Sequence, residues 1–452
     1  MQGSDRVSSH LNWKVLFALV VATALTLPWL GGWAFGAMHG LSTLATVGIS
    51  GIGILGASFL LTWGAETAEK DVPRAFAIAV LAVLAVAPEY AVDALYAWNA
   101  GQFAGTERGI EAGNLAVANM TGANRILIGV GWAGIALFTI LRAGAATDIA
   151  VEKRDGFLAD VVVIDRDITV EVAFLLAATV WAFAVPLGGG IDILDVVMLV
   201  GLYVLYLAVI LRGDADEGDE EHVGVPAALQ EIPNPFRALT VIGLFAFSGL
   251  IIFTAVEPFA HGLEGLGTSL GIPSFFMIQW IAPLASESPE LVVVAVLVMK
   301  SRSTAGFNAL VSSKLNQWTL LIGTLAIVHS VALGEYGALM FDQKQSAEIW
   351  LTAAQSLFAL SLIVNFEFSI REAIALFVLF VSQVAAEYLI IRDLVALPVT
   401  SYELLLAFTG VYAVLATLLF VSRRDAFVRL LSDARETVSG AVSPEAQPQS
   451  AD

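Results

Sequence analysis

Ala87-Pro88-Glu89-Tyr90-Ala91-Val92-Asp93 lies within an apolar run in the first half of the chain, and Glu287-Ser288-Pro289-Glu290 lies within another in the second half. Proline inside a membrane-length helix withdraws one backbone donor and presses its ring on the preceding turn. Carbonyl oxygens near residues 84–85 and 285–286 are therefore expected to be released from the helix ladder. An ionised carboxylate at the bilayer centre costs about 2.5–3.5 kcal/mol on insertion scales unless a positive charge attends it. Freed carbonyls beside buried carboxylates make a ligand set for a cation. Asp93 follows Glu89 by four residues and Glu287 precedes Glu290 by three, so each helix presents two carboxylates on one face.

The repetition extends downstream. Asn119-Met120-Thr121-Gly122-Ala123-Asn124-Arg125 opens the core of the next apolar run, and Asn308-Ala309-Leu310-Val311-Ser312-Ser313-Lys314 does the same in the second half. In this register Asn119 matches Asn308 and Arg125 matches Lys314. A register three residues away also fits, pairing Asn124 with Asn316 and Gly131 with Gly323. Hard oxygen donors of this kind suit calcium or sodium and not a soft transition metal. Glu89, Asp93, Glu287 and Glu290 set against Arg125 and Lys314, read as charge-balancing partners, leave a formal −2. One divalent cation, two monovalent ones or protons would neutralise it, and competition among these for one site is the physical basis of exchange.

The remaining sequence places this site in a bilayer. Of 452 residues, 58% are apolar and 14% charged, with a mean hydropathy of +0.81, too apolar for a water-soluble enzyme of this length. A helix needs about 20 apolar residues to cross hydrocarbon. Twelve runs qualify, near 15–37, 45–65, 75–98, 113–141, 167–186, 191–211, 236–258, 274–299, 304–333, 347–365, 371–391 and 402–422. With the N-terminus in the cytoplasm, 17 of the 22 Lys and Arg residues fall on inside loops and ends, which predicts a multi-pass protein of the cell membrane with both termini cytoplasmic. The third run then crosses outward and the eighth inward, so the two Pro-Glu copies are oppositely oriented.

The expected fold is an all-α polytopic membrane protein: two inverted-topology repeats of five helices, with one extra helix at each end. Residues 1–40 hold the N-terminal extra helix, 41–212 the first half, 213–235 an acidic cytoplasmic linker, 236–392 the second half, 393–431 the C-terminal extra helix and 432–452 a disordered tail. The first run also fits a signal peptide, since Arg6 and Lys14 precede it, but its removal would leave an odd number of crossings.

A net charge of −19 argues against nucleic acid as a partner and leaves inorganic cations and the lipid bilayer. No cysteine occurs and the five histidines are scattered, so thiolate and zinc sites are excluded, and no cofactor is expected beyond transported Ca2+, Na+ or H+. The acid run Asp214, Asp216, Glu217, Asp219, Glu220 and Glu221 fails as an EF-hand loop, because Asp219 stands where glycine is required and Val225 where glutamate is. It reads as a solvated linker. No Ser/His/Asp set lies on the spans, so no enzymatic activity is expected.

At these residues the chain resembles the sodium/calcium exchanger superfamily, the calcium/cation antiporters, over roughly 45–392. The resemblance implies ten core helices, ion sites between the repeats at mid-membrane, and alternating access by sliding of a helix pair. It makes Glu89 and Glu290 the chelating glutamates and Ser312 and Asn316 second-repeat ligands. Departures stand out: Ala85, Val86, Ala123 and Leu127 occupy positions that are usually polar, Glu287 replaces a usual serine, and Arg125 and Lys314 are additional charges. The implied function is secondary active exchange of Ca2+, or a related cation, for Na+ or H+. A Na+/H+ exchanger that does not use Ca2+ is the alternative within transport, and a passive cation channel the alternative from another class.

Overall fold

Backbone in lipid has no partner but itself, so long apolar runs fold as helices. The computed structural model, which describes residues 13–38, 40–72, 86–143, 148–212, 224–395 and 398–442, is nearly all helix. In chain order the helices are α1 (Trp13–Ala34), α2 (Thr43–Ala68), α3 (Ala87–Gln102), α4 (Glu107–Arg142), α5 (Thr169–Ala182), α6 (Ile193–Arg212), α7 (Val225–Gln230) and α8 (Phe236–Leu270). They continue as α9 (Ser274–Met299), α10 (Ser303–Leu333), α11 (Gln343–Ile363), α12 (Ile370–Ile391), α13 (Ser401–Ser422) and α14 (Arg424–Val442). Among the described residues, 11 helices are long and apolar enough to cross a membrane, and they match 11 of the 12 expected runs. The remaining run, 75–98, is described only from residue 86 onward, as α3, and the acidic run 214–221 lies outside the described residues.

Local chemistry explains where several helices begin. Ser369 with Glu372 starts α12, and Thr400 with Glu403 starts α13, each as a reciprocal capping box. Four helices form the centre: α4 packs on α9, and α3 packs on both α4 and α10. Each of the two longer members carries a π-helical turn, Leu127–Trp132 in α4 and Gln317–Leu321 in α10. The register that pairs Arg125 with Lys314 aligns these turns to within one residue, whereas pairing Asn124 with Asn316 leaves them two to three apart.

Proline spacing fixes how closely α4 and α9 approach. Pro283 and Pro289 both lie inside α9. Pro283 cannot donate to the carbonyl of Gln279, and Gly122 of α4 fills the space beside that oxygen so tightly that a Cβ there would stand 1.8 Å from it. Gly122→Ala is expected to lower stability by about 1–3 kcal/mol or more by forcing the helices apart. An unchanged melting temperature of the detergent-solubilised variant would rule the close contact out.

Two small sheets tie the helix ends together. β2 (Val161–Val163) pairs antiparallel with β1 (Val151–Glu152) on one side and β5 (Glu367–Ser369) on the other, and β3 (Gly190–Ile191) pairs with β4 (Leu339–Met340). On the first sheet Arg154 contacts Glu367 at 2.7 Å and Glu152 at 3.0 Å. Arg154 holds the Glu367 carboxyl below the usual carboxylate range. The contribution of the pair is therefore complete above that range and is lost as pH falls through the depressed value. Arg154 and Glu367 are 40% and 33% exposed, so the pair is worth only about 0–1 kcal/mol.

One expectation fails at the C-terminus. Residues 432–442, read as disordered, continue helix α14, while 443–452 lie outside the described residues. Phe427, Leu430, Val438 and Ala441 recur at helical spacing and pack into the main core against α5 and α6. The polar composition of the whole tail hides this stripe.

Candidate cation site

Helix α3 opens at Ala87 with Pro88 in its first turn, where a missing donor is harmless, and Glu89 occupies the same turn. The carbonyls near residues 84–85 lie outside the described residues. Glu89 is 1% exposed, and neither of its carboxylate oxygens has a hydrogen-bond partner among the described residues. One turn on, buried Asp93 accepts from Asn119 Nδ2 of α4 at 2.9 Å through one oxygen, while the other has no partner among the described residues.

The second half supplies the facing groups. Buried Glu287 accepts from Gln317 Nε2 at 2.8 Å, and half-buried Glu290 accepts from Ser313 Oγ at 2.9 Å. The carboxyls of Glu89 and Glu287 come within hydrogen-bonding reach of each other. Ionised carboxylates only accept, so two can sit this close only with a proton or a cation between them.

Among the described residues, eight buried side-chain oxygens on these four helices lack partners: both of Glu89, Asp93 Oδ2, Asn119 Oδ1, Gln279 Oε1, Glu287 Oε2, Asn308 Oδ1 and Gln317 Oε1. Left so, each would cost about 1–3 kcal/mol. Among the described residues no three acidic or histidine side chains lie together closely enough to hold a metal. An ion here would have to draw on neutral oxygens as well, which suits calcium with its six to eight oxygen ligands.

The two expected charge-balancing residues part company. Lys314, fully buried, donates from Nζ to Asn124 Oδ1 at 2.6 Å, lies 4.2 Å from the Trp318 ring centre, and sits in the field of Glu89 and Glu287. Asn124 therefore offers its side-chain oxygen to the ammonium and not to an ion, a correction to its expected role. Arg125 is corrected too. It pairs with Glu348 of α11 at 2.7 Å, contacts Gln355 at 3.3 Å and Gln383 of α12, and lies 4.9 Å from the Trp280 ring centre. Successive side chains leave a helix about 100° apart, so Asn124 facing the cluster turns Arg125 toward α11 and α12.

With Arg125 removed from the sum, the cluster holds Glu89, Asp93, Glu287 and Glu290 against Lys314 alone, a formal −3. Asn308, Ser312 and Asn316 share one stripe of α10. Asn316 Oδ1 accepts from Tyr90 at 3.1 Å, and Asn308 Oδ1 has no partner among the described residues. Ala123 and Leu127 are fully buried in apolar packing and contribute no side-chain oxygen.

Sequence reasoning missed Gln317, Tyr90, Glu348 and Glu387. Glu387 is buried, contacting Lys344 at 3.0 Å and Gln383 Nε2 at 3.0 Å. The signal for Glu348 and Glu387 was present, since acids inside membrane runs need partners. Neither stands in the duplicated motif.

A family model described as sodium/calcium exchanger protein matches residues 42–212 and 240–389. The crystal structure of the H+/Ca2+ exchanger CAX is 40% identical with a TM-score of 0.82, and the match covers 96% of this chain and 99% of that one. Native YfkE, 14% identical with a TM-score of 0.55 over 82% of this chain and 99% of that one, shares the fold. No curated protein matches. The matched region takes in most of the spans and the whole carboxylate cluster, and the chain belongs to the sodium/calcium exchanger family of multi-pass membrane transporters.

Proposed function

We propose that the protein is a secondary active antiporter that exchanges Ca2+ for protons, with Glu89 and Glu290 as principal ligands and Asp93, Glu287, Asn119, Ser312 and Asn316 around them. The observation that carries this reading is the buried carboxylate of Glu89, without a hydrogen-bond partner among the described residues and facing Glu287 from the other half. Ca2+ would satisfy these oxygens in one state and protons in another. Likeness to the H+/Ca2+ exchanger CAX supports the same pair of ions. Sodium is disfavoured because Ala123 and Leu127 offer no neutral oxygens, and because Lys314 already holds Asn124 with a fixed monovalent charge. Oppositely oriented halves and cytoplasmic termini follow from the arginine and lysine distribution.

Purified protein in liposomes is expected to take up Ca2+ saturably when the interior is made acidic, and not when an outward sodium gradient replaces the pH gradient. Uptake driven by sodium alone would transfer the assignment to sodium exchange. Proton-coupled sodium movement indifferent to Ca2+ would remove calcium from the scheme, and flux without any counter-ion would make the protein a channel.

A further inference from the structure

Lys314 brings a positive charge to the cluster without an ion pair to hold it. By helix rise it stands about 17 Å in from the start of α10, near the middle of a hydrocarbon layer about 30 Å thick. Its Nζ donates to Asn124 Oδ1 of α4 at 2.6 Å and to the Asn124 carbonyl at 3.5 Å, and the Trp318 ring centre lies 4.2 Å away. These partners are neutral, and among the described residues no carboxylate lies within ion-pairing distance of the ammonium. Arg125, its counterpart in the first half, has by contrast the carboxylate of Glu348 at 2.7 Å. The neighbours of Lys314 on α10 reach the cluster directly: Ser313 donates to Glu290, and Gln317, one turn on, donates to Glu287. Two oxygens of one asparagine and the face of an aromatic ring are a place for a small monovalent cation, and a compact charge on a flexible stem fills it.

We propose that Lys314 is a tethered stand-in for a monovalent ion: throughout the cycle it fills a place beside the four carboxylates that a free Na+ would otherwise take, and it thereby makes the protein indifferent to sodium. The proposal deepens, and rests on, the reading of the cluster as the exchange site. An ammonium fixed to the backbone cannot dissociate, so it contributes charge without being moved across the membrane. Glu89, Asp93, Glu287 and Glu290 with Lys314 sum to a formal −3, and without it to −4. A variant lacking the ammonium has the spare charge, and in Asn124 the spare oxygens, to bind one more monovalent ion.

Lys314→Met keeps most of the stem and ends one atom short of Nζ, which leaves the place of the ammonium open. In proteoliposomes under a pH gradient, with the same salt on both sides, K314M is expected to take up Ca2+ at least about tenfold faster in NaCl than in choline chloride, while wild type differs by less than about twofold. In detergent, about 100 mM NaCl in place of choline chloride is expected to raise the melting temperature of K314M by about 2 °C and to leave that of wild type unchanged. Uptake by K314M that is equal in both salts would show that no monovalent charge is needed there. Loss of uptake in both salts, with a melting temperature indifferent to Na+, would make Lys314 a mere brace between α4 and α10. Either result overturns the proposal, as does sodium-stimulated uptake by wild type. If K314M does not fold, K314Q enters the same assays, and failure of both to fold with Na+ present also overturns it. Wild-type protein lacking pH-driven uptake would instead defeat the proton-coupled reading, and the melting comparison would still decide the role of Lys314.

Discussion

Glu89→Gln is expected to reduce Ca2+ uptake to at most about a hundredth of the wild-type rate while leaving a folded, monodisperse protein. The change keeps the volume of a residue that is 1% exposed, so packing has no reason to fail. What disappears is a charge. A charge-assisted contact in a dry site contributes about 1.5–3 kcal/mol, and 2.8 kcal/mol is about a hundredfold in affinity. Glu89 has no hydrogen-bond partner among the described residues to which that charge is otherwise committed. Glu290→Gln is expected to behave alike, although Ser313 retains a bond to the amide oxygen in place of the carboxylate. Initial rates of radiolabelled uptake, compared at equal amounts of folded protein, decide the matter; a rate above about a tenth of wild type would exclude Glu89 as a principal ligand.

The second large effect lies in the frame. Glu348→Ala is expected to destabilise the protein by about 3–5 kcal/mol, because it leaves the Arg125 guanidinium buried beside Gln355 and Gln383 without a carboxylate. Replacing both partners by leucine removes the stranded charge and is expected to recover much of the loss. The relevant measurement is a double-mutant cycle on thermal unfolding in detergent. Additive losses in the double variant would mean the pair is not coupled and that Arg125 draws its compensation elsewhere. The leucine pair is also expected to transport, in contrast to Glu89→Gln.

Helix positions were legible because the bilayer imposes a length, and a run of about 20 apolar residues has little else to become. The Pro-Glu motifs were legible because both break a strong rule in apolar surroundings. The destinations of neighbouring side chains were not. Asn124 and Arg125 look like one polar group in the sequence, yet helical geometry sends one to Lys314 and the other to Glu348. Knowing which is which requires knowing what stands on each side of α4. Gln317 escaped notice because an amide within an apolar run carries no charge to flag it, although it is what holds Glu287 in place. The amphipathic stripe of α14 was masked by averaging it with the Pro- and Gln-containing residues beyond it.

The contact between Gly122 and the Gln279 carbonyl limits how the molecule can change shape. Shifting α4 along α9 by a single residue would bring the methyl of Ala123, or the branched side chain of Thr121, onto an oxygen that has room for neither. The spot therefore behaves as a bearing: it permits tilt and forbids glide. In the exchange proposed above, opening the cluster to opposite sides of the membrane would fall to other parts swinging past this axle.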